Sequence, residues 1–336
     1  MRLRERIIEL LVSNPRGLRQ ADIARILGAS RSRVSEIIRE LEEAGIVRKI
    51  REGGIILVQL VRVGDEIVKQ EYKHKLKLGI IWSSEYPFIT PFAKNLRNEL
   101  GIELDVIVYS NGLDATWDLV TGRIDLALTP MITQLLYSSL TNRLKIIGGG
   151  ASGGASILHN PLGREGYGAS TKASTMDLLL TIAWRMLGRE EKQRIYLNSG
   201  DKLLRALLKG EVELVALWEP LASKARLLGY RELINAKDLG VSHCCTLAAF
   251  TFLDSRLVEK ISRIYHESIT EFLRNPSRWL EWYSIKTGIS MDALKNSIHS
   301  YEFHDYIDVK GMEKALRKSG VRIPNPSTLR EIILAY

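Results

Sequence analysis

One pattern occurs twice in this sequence of 336 residues and limits its possible folds to a small group. Residues 114–126 read DATWDLVTGRIDL, and residues 201–214 read DKLLRALLKGEVEL. In each copy an aspartate able to cap a helix begins an amphipathic segment, and a G-x-[I/V]-[D/E]-L motif then enters an apolar run. The two runs continue as LALTP and VALWEP. We therefore expect two similar α/β lobes, with ligands bound where the strands end.

Further apolar runs support an α/β domain from about residue 76 onward. LKLGIIW at residues 76–82 is a nearly continuous apolar run, which is typical of a buried parallel strand. The later runs LDVIVY, IDLALT and LKIIGG alternate with amphipathic helical segments. The preceding segment, residues 64–75, is polar and predicts a helical connector.

The first 64 residues have a different pattern, in which three helices precede a hairpin. Turn residues at Ser13-Asn14-Pro15 end the first helix, and Gly28 permits the turn after the second. Ser30 is placed to cap the third, in which Val34, Ile37, Ile38 and Leu41 form one buried stripe. Two β-like runs joined at Gly53-Gly54 then predict a hairpin.

Basic residues are concentrated in this N-terminal segment. The chain carries a formal net charge of +9, and residues 15–51 hold nine basic against five acidic residues. Such a distribution favours a polyanionic partner. The residues predicted to contact DNA lie on the exposed face of the third helix and on the hairpin: Ser30, Arg31, Ser32, Arg33, Ser35, Arg39, Arg48, Lys49 and Arg51. A protein-docking role for this domain is the alternative, and these arginines argue against it.

Composition excludes several classes of protein. The chain is 45% hydrophobic and 26% charged, with no apolar stretch of 18 residues, so we expect no membrane span. Glu5 and Glu9 interrupt the N-terminal apolar segment, which argues against a secretion signal and for a cytoplasmic protein. The only cysteines, Cys244 and Cys245, are adjacent and are expected to be two buried free thiols.

The N-terminal pattern resembles the winged helix-turn-helix of MarR-like and Lrp-like regulators. The resemblance covers residues 1–64 and depends on ADIARILGASRSRVSEIIRELEEAGIV followed by RKIREGG. It implies that the helix from Arg31 enters the major groove of double-stranded DNA, while the wing follows phosphates or the minor groove.

The remainder resembles type 2 periplasmic binding proteins of the nitrate, sulfonate and taurine group and the related thiamine-pyrimidine synthase family. The matching pieces are GLDATWDLVTGRIDLALTP, YGASTKASTMDLLL, VALWEPLASKARLLGYRELINAKDLG and AAFTFLDSRLVEKISRIYHESITEFLRNP. The resemblance implies a multi-domain protein: a winged helix (α+β) at 1–64, a helical linker at 65–75 and a two-lobed α/β ligand domain at 76–336. Lobe one would comprise about 76–165 and 245–336, and lobe two about 166–244.

Polar and aromatic residues that follow the predicted strands are the candidate ligand contacts. Ser174 is placed to cap a helix with Asp177 three residues on, and such a helix terminus favours an anion. We expect contacts from Trp82, Ser83, Ser84, Thr129, Ser152, Thr171, Ser174, Thr175, Trp218 and Glu219. We expect no metal, because the six histidines lack ligand spacing, and no cofactor.

Five glycines within residues 148–154, here called the glycine segment, formally satisfy G-x-G-x-x-G. The following ASILHNPLG is too short for the helix that a dinucleotide-binding site requires, and there is no G-K-[S/T]. We therefore interpret the glycine segment as the flexible lip of the cleft, where backbones approach closely or cross between lobes.

Together these features predict a ligand-responsive transcriptional regulator that is a homodimer and not an enzyme. The synthase relatives carry a cysteine cluster of which only Cys244 and Cys245 remain here. Two alternatives stay open: a biosynthetic enzyme whose N-terminal domain autoregulates, and a dimeric DNA-binding protein whose second domain senses nothing.

Overall fold

The computed structural model describes residues 3–12, 14, 17–52, 55–61, 74–241, 243–319 and 332–333. The N-terminal domain is a winged helix, as the sequence predicts. Its elements are α1 (Leu3–Val12), α2 (Gln20–Leu27), α3 (Arg31–Glu43), β1 (Val47–Glu52) and β2 (Ile55–Leu60). The Ser30 hydroxyl accepts a hydrogen bond from the amide of Arg33 at 3.3 Å and so caps α3. Val34, Ile37, Ile38 and Leu41 are buried as expected.

The two strands of the wing are antiparallel and in register from Val47–Leu60 to Glu52–Ile55. Three sequence predictions lie outside the described residues: the turn at Ser13 and Pro15, the Gly53-Gly54 turn, and the linker over residues 62–73. Of the predicted linker, only His74 and Lys75 are described, and Lys75 already begins the next strand.

Lobe one is built on a five-stranded sheet. The chain first forms β3 (Lys75–Ile81), α4 (Ile89–Leu100), β4 (Glu103–Tyr109), α5 (Gly112–Val120), β5 (Leu126–Pro130), α6 (Met131–Thr141) and β6 (Leu144–Gly148). β3 lies between β4 and β5 and is parallel to both, and its residues from Leu78 to Ile81 are buried on both faces. This explains the continuous apolar run of its sequence.

Lobe two follows a short crossing strand, β7 (Ala151–Gly153). Its elements are β8 (Ala155–His159), β9 (Tyr167–Ser170), α7 (Thr175–Met186), β10 (Gln193–Tyr196), α8 (Gly200–Leu208), β11 (Leu214–Trp218), α9 (Leu221–Leu227), β12 (Arg231–Asn235) and α10 (Ala236–Leu239). The strand order is β10-β9-β11-β8-β12. β8 pairs with β11 and β12, so the chain enters lobe two at residues 149–154 and not near 165 as the sequence suggested.

The returning chain completes lobe one. β13 (Cys245–Phe250) inserts antiparallel between β5 and β6. The later elements are α11 (Ser255–Arg274), α12 (Leu280–Thr287), α13 (Met291–Ser297), β14 (Tyr301–Phe303) and α14 (Val309–Ser319), with 3-10 turns at 276–279 and 298–300. α14 packs against α7 of lobe two, so the C-terminal part does not belong to lobe one alone. No helix among the described residues is long and apolar enough to cross a membrane.

The repeated motif performs the same local task in both lobes. Gly122 and Gly210 adopt left-handed φ angles of 72° and 69°, and a strand begins four residues later at Leu126 and Leu214. The helix caps differ from the expected aspartates. The side chain of Asn111 accepts from the amide of Asp114, and that of Ser199 accepts from the amide of Lys202.

Candidate functional sites: a DNA-reading face and an interlobe cleft

The exposed face of the winged helix carries the predicted DNA contacts. All nine of these residues are solvent-exposed, on α3, its cap or the wing. Arg33 pairs with Glu36 at 2.6 Å and Lys49 with Glu42 at 2.5 Å. Such exposed pairs are weak, so phosphates can replace the acidic partners. Arg31 and Arg51 make no ion pair with any residue that the structure describes.

The lobes meet closely along the predicted cleft. The Trp218 indole nitrogen of lobe two donates to the main-chain carbonyl of Trp82 in lobe one at 2.8 Å. The amide of Ser84 donates to the carbonyl of Glu219 at 3.2 Å. Further along the interface, the Thr133 hydroxyl donates to the carbonyl of Ala173 at 2.6 Å. The structure therefore represents a closed arrangement of the two lobes.

A small cavity, here called the inner cavity, lies between the lobes and has a volume of about 30 Å³. That volume accommodates roughly two water molecules. Its lining residues are Ile81, Ser83, Glu85, Tyr86, Asn111, Gly112, Pro130, Thr171, Ser174, Thr175, Met176, Trp218, Cys244 and Cys245. Among these described residues none is Lys, Arg or His, so the expected anion would find no cationic side chain here.

Half of the ten predicted ligand residues line the inner cavity: Ser83, Thr171, Ser174, Thr175 and Trp218. Ser174 caps α7 as predicted, since its hydroxyl accepts from the amide of Asp177 at 3.3 Å. The preceding Ala173 has a left-handed φ of 51°, which is unusual for a residue with a side chain and is typical of functional loops. Trp82 lies at an adjoining surface depression that Trp218 also lines.

The other four predicted residues are engaged in contacts within the protein. Thr129 accepts from Thr116 and Gln134 in a buried hydroxyl–amide cluster. Ser152 bonds to His304 at 2.9 Å. The carboxylate of Glu219 pairs with Arg226 and accepts from the amide of Ser223, away from the inner cavity.

Ser84 contacts a side chain that the sequence did not indicate. The phenol oxygen of Tyr301 lies 3.3 Å from the hydroxyls of both Ser83 and Ser84, and all three residues are buried. Tyr301 belongs to β14, which pairs with β7 of the crossing. The C-terminal chain thus fills part of the space that these serines would otherwise offer to a ligand.

The glycine segment crosses between the lobes as predicted, but it is a covered hinge and not an exposed lip. A Cβ on Gly154 would lie 1.8 Å from the Tyr301 ring, and one on Gly149 would lie 2.1 Å from the carbonyl of Tyr306. The amides of Gly154 and His304 bond to the carbonyls of Ser300 and Gly150 respectively. These glycines are therefore required by the close approach of two backbones.

Sequence reasoning missed Glu85 and the role of the cysteines. Glu85 follows Trp82–Ser84 in the same segment after β3, so the signal was present. Cys244 and Cys245 are buried and free as expected, yet both line the inner cavity. Within the described residues, ligand atoms of Glu85, Cys244 and Cys245 lie within 4.8 Å of one another, a set that could hold a metal ion.

A second space, here called the outer cavity, adjoins the inner one and has a volume of about 270 Å³. Asn111, Gly112 and Thr171 line both cavities. The outer cavity is also lined by Lys172 and Tyr196 of lobe two and by Glu5 of α1. One of its walls therefore comes from the winged helix.

The winged helix is held on lobe one by two arginines. Arg143, which follows α6, is buried and donates to the carbonyls of Ala44 and Gly45 at the end of α3. Its guanidinium lies 5.0 Å from the Phe252 ring. The second arginine, Arg4 of α1, lies 4.1 Å above the ring of Trp117 and 3.4 Å from the carboxylate of Asp114.

These features define a winged helix-turn-helix domain joined to a two-lobed fold of the periplasmic-binding-protein type. A family model for winged helix-turn-helix DNA-binding domains matches residues 2–48. No curated protein matches the chain in sequence.

Solved structures resemble the two-lobed part. The ligand-binding component of an ABC-type import system from Staphylococcus aureus, solved with zinc bound, superposes with a TM-score of 0.63 at 20% identity, over 77% of this chain and 99% of that one. The aliphatic sulphonate binding protein of Escherichia coli superposes with a TM-score of 0.62 at 16% identity, over 79% of this chain and 93% of that one. The nitrate-binding protein of Synechocystis PCC 6803 superposes with a TM-score of 0.63 at 13% identity, over 77% of this chain and 86% of that one. At these identities the likeness establishes the fold.

Proposed function

We propose that this protein is a one-component transcriptional regulator that binds operator DNA through α3 and the wing and a small-molecule effector between its lobes. The family match to DNA-binding winged helices and the binding-protein fold support the two halves of this proposal. Such a regulator acts where the DNA is, in the cytoplasm. It would act by binding and not by catalysis.

The observation that carries the proposal is the attachment of the recognition helix to lobe one. Arg143 donates to the carbonyls of Ala44 and Gly45, which directly follow α3 and accept no hydrogen bond within that helix. Buried charge-assisted hydrogen bonds of this kind are costly to break, so α3 and lobe one should move together. Closure of lobe two on lobe one can then alter the position of the DNA-reading face.

We further propose that the functional unit is a homodimer. One winged helix contacts too few base pairs for useful specificity, and a two-fold operator requires a two-fold protein. A change in the angle between lobes would change the spacing between the two recognition helices. Effector binding would thereby alter operator affinity by a population shift.

A biosynthetic enzyme with an autoregulatory domain is the second candidate. It is favoured by the two thiols in the inner cavity. However, both thiols have raised pKa values. For Cys244 a hydrogen bond with Cys245 lowers the pKa, but burial and the nearby Glu85 together raise it further; for Cys245 burial is the leading cause. Neutral buried thiols are poor nucleophiles. Conversion of a bound compound to a product would decide for the enzyme.

The proposal is tested by a thermal-shift screen of metabolites followed by binding to DNA. An effector present at a hundredfold its Kd should stabilise the protein by about 2.7 kcal/mol. Operator DNA is selected from a random duplex library, and its affinity is then measured with and without each stabilising compound. A protein that selects no duplex sequence, or whose operator affinity no bound compound changes, contradicts the proposal.

A further inference from the structure

The inner cavity contains an acid that no basic side chain balances. Glu85 is 2% exposed, and its Oε1 atom has no hydrogen-bond partner among the residues that the structure describes. Because a buried acceptor without a donor is destabilising, its retention in a cavity indicates a group that a ligand satisfies.

The other features of the cavity disfavour an anion. At the start of α7 the amide of Asp177 already donates to the Ser174 hydroxyl, and the Asp177 carboxylate is paired with Arg194. An anion would also lie close to Glu85 in a region from which water is excluded. Charge complementarity therefore favours a positively charged ligand.

Starting from the proposed effector role of this cleft, we propose that the effector is a small organic nitrogen cation, of the ammonium or amidinium class, whose N–H groups donate to Glu85. The rings of Tyr86 and Trp218 line the same space and can contact a cation through their faces. This charge is opposite to that expected from the Ser174 helix terminus.

The two cavities suggest how such an effector is oriented. The inner cavity holds only a small head group, whereas the adjoining outer cavity is nine times larger in volume, at about 270 against 30 Å³. Asn111 and Thr171 border both spaces. A cationic head at Glu85 would leave the body of the effector beside Glu5 of α1, in contact with the winged helix.

Three planar probes of nearly equal size separate charge from shape: acetamidinium, acetamide and acetate. Binding to the full-length protein without DNA is followed by tryptophan fluorescence and calorimetry at pH 7.5. We expect acetamidinium to bind at least tenfold more tightly than acetamide, and acetate not to bind. Glu85→Gln should weaken acetamidinium binding tenfold or more, whereas Glu281→Gln, on the exposed surface of α12, should not.

A conservative variant distinguishes direct contact from an indirect effect on folding. Glu85→Asp keeps the carboxyl group and should still prefer acetamidinium to acetate, and circular dichroism verifies that each variant is folded.

Three results would overturn the inference: tighter binding of acetate than of acetamidinium, no binding of acetamidinium, or unchanged binding in Glu85→Gln. Binding of Zn²⁺ is measured as well, because Glu85 and the two thiols could also hold a metal. Saturable Zn²⁺ binding that Cys245→Ser abolishes, with no competition by acetamidinium, would assign the cluster to a metal and overturn it too. Acetamidinium binding without any effect on operator affinity would support this inference and contradict the regulatory function.

Discussion

The indole nitrogen of Trp218 donates a hydrogen bond to the main-chain carbonyl of Trp82 across the cleft, at 2.8 Å. This bond joins the end of β11 in lobe two to the segment after β3 in lobe one. Each residue also lies beside a cavity or depression of the cleft. The relationship links closure of the lobes directly to the place where a ligand would bind.

Trp218→Phe should shift the protein toward an open arrangement. The substitution removes the donor and leaves the Trp82 carbonyl without this partner, at a cost of about 1–3 kcal/mol. We expect a larger radius of gyration by small-angle X-ray scattering and faster amide exchange at Ser84. Trp282→Phe is the control, because Trp282 of α12 lines neither the cavities nor the depression of the cleft. Equal radii for the two variants would show that the bond does not hold the lobes closed.

Arginine substitutions should separate base reading from phosphate contact. Arg31→Ala and Arg33→Ala should each weaken operator binding by about 1–3 kcal/mol for every base that the arginine reads. Arg51→Ala should instead lower the salt dependence of binding, because a wing arginine contacts phosphate. Arg97→Ala, exposed on α4, matches the charge change. Full operator affinity in a folded Arg31, Arg33 and Arg39 triple variant would refute the DNA-reading assignment.

Arg143→Ala should disconnect the winged helix from lobe one. It removes the hydrogen bonds to Ala44 and Gly45 and the contact with Phe252. We expect faster hydrogen exchange in the last turn of α3 and a smaller effect of effector on operator affinity. Arg143→Lys keeps a charge but loses the two-pronged geometry, so it should be nearly as defective. Wild-type exchange in Arg143→Ala would mean that this contact does not hold the domains.

Glu85 should make stability fall as pH rises. Its pKa is about 8 in the folded protein and near 4.5 otherwise, so the folded state retains the proton longer. Its stabilising contribution is complete below the lower value and is lost as pH rises through the upper one. The Tm of the wild type should therefore decline relative to that of Glu85→Gln between pH 5 and pH 8.

The comparison with Glu85→Gln removes the effect of other titrating groups. Burial lowers the pKa of His243 to about 4, and this residue makes stability fall with decreasing pH in both proteins. Parallel Tm profiles for wild type and Glu85→Gln would show that Glu85 is ionised near neutral pH even when buried.

Gly154→Ala should damage the hinge far more than an equivalent change elsewhere. Both Gly154 and Gly188 have left-handed φ angles, 61° and 63°, so alanine costs each about 1–2 kcal/mol of backbone strain. Only at Gly154 would the new Cβ collide with Tyr301, whereas nothing lies within 4 Å at Gly188. A lower Tm for Gly154→Ala than for Gly188→Ala is expected; equal values would show that the crossing is loosely packed.

The sequence predicts the two-domain fold well because its signals are local. The α3 stripe, the Ser30 and Ser174 caps and the continuous apolar run of β3 each depend on neighbours in sequence. The predicted boundary between the lobes was wrong because nothing in the local sequence ASILH indicates that this strand pairs in the sheet of lobe two. Only long-range register shows that β8 joins β11 and β12.

The cleft was less predictable because its composition depends on residues far apart in sequence. Ser84 and Tyr301 are 217 positions apart. Thr129 lies near the end of β5 and Glu219 follows β11, as ligand residues often do, yet Gln134 and Arg226 occupy their polar groups. Glu85 directly follows the predicted contacts Trp82, Ser83 and Ser84, but its burial beside Cys244 and Cys245 depends on residues far away in sequence.

The central claim is that the cleft and the DNA-reading face are energetically coupled, and calorimetry tests it most directly. The compound that gives the largest thermal shift is titrated into the free protein and into its complex with the selected operator. Coupling is reciprocal, so a regulator should give two Kd values that differ about 5- to 150-fold, with operator affinity changing by the same factor. Equal Kd values in the presence and absence of operator would contradict the account.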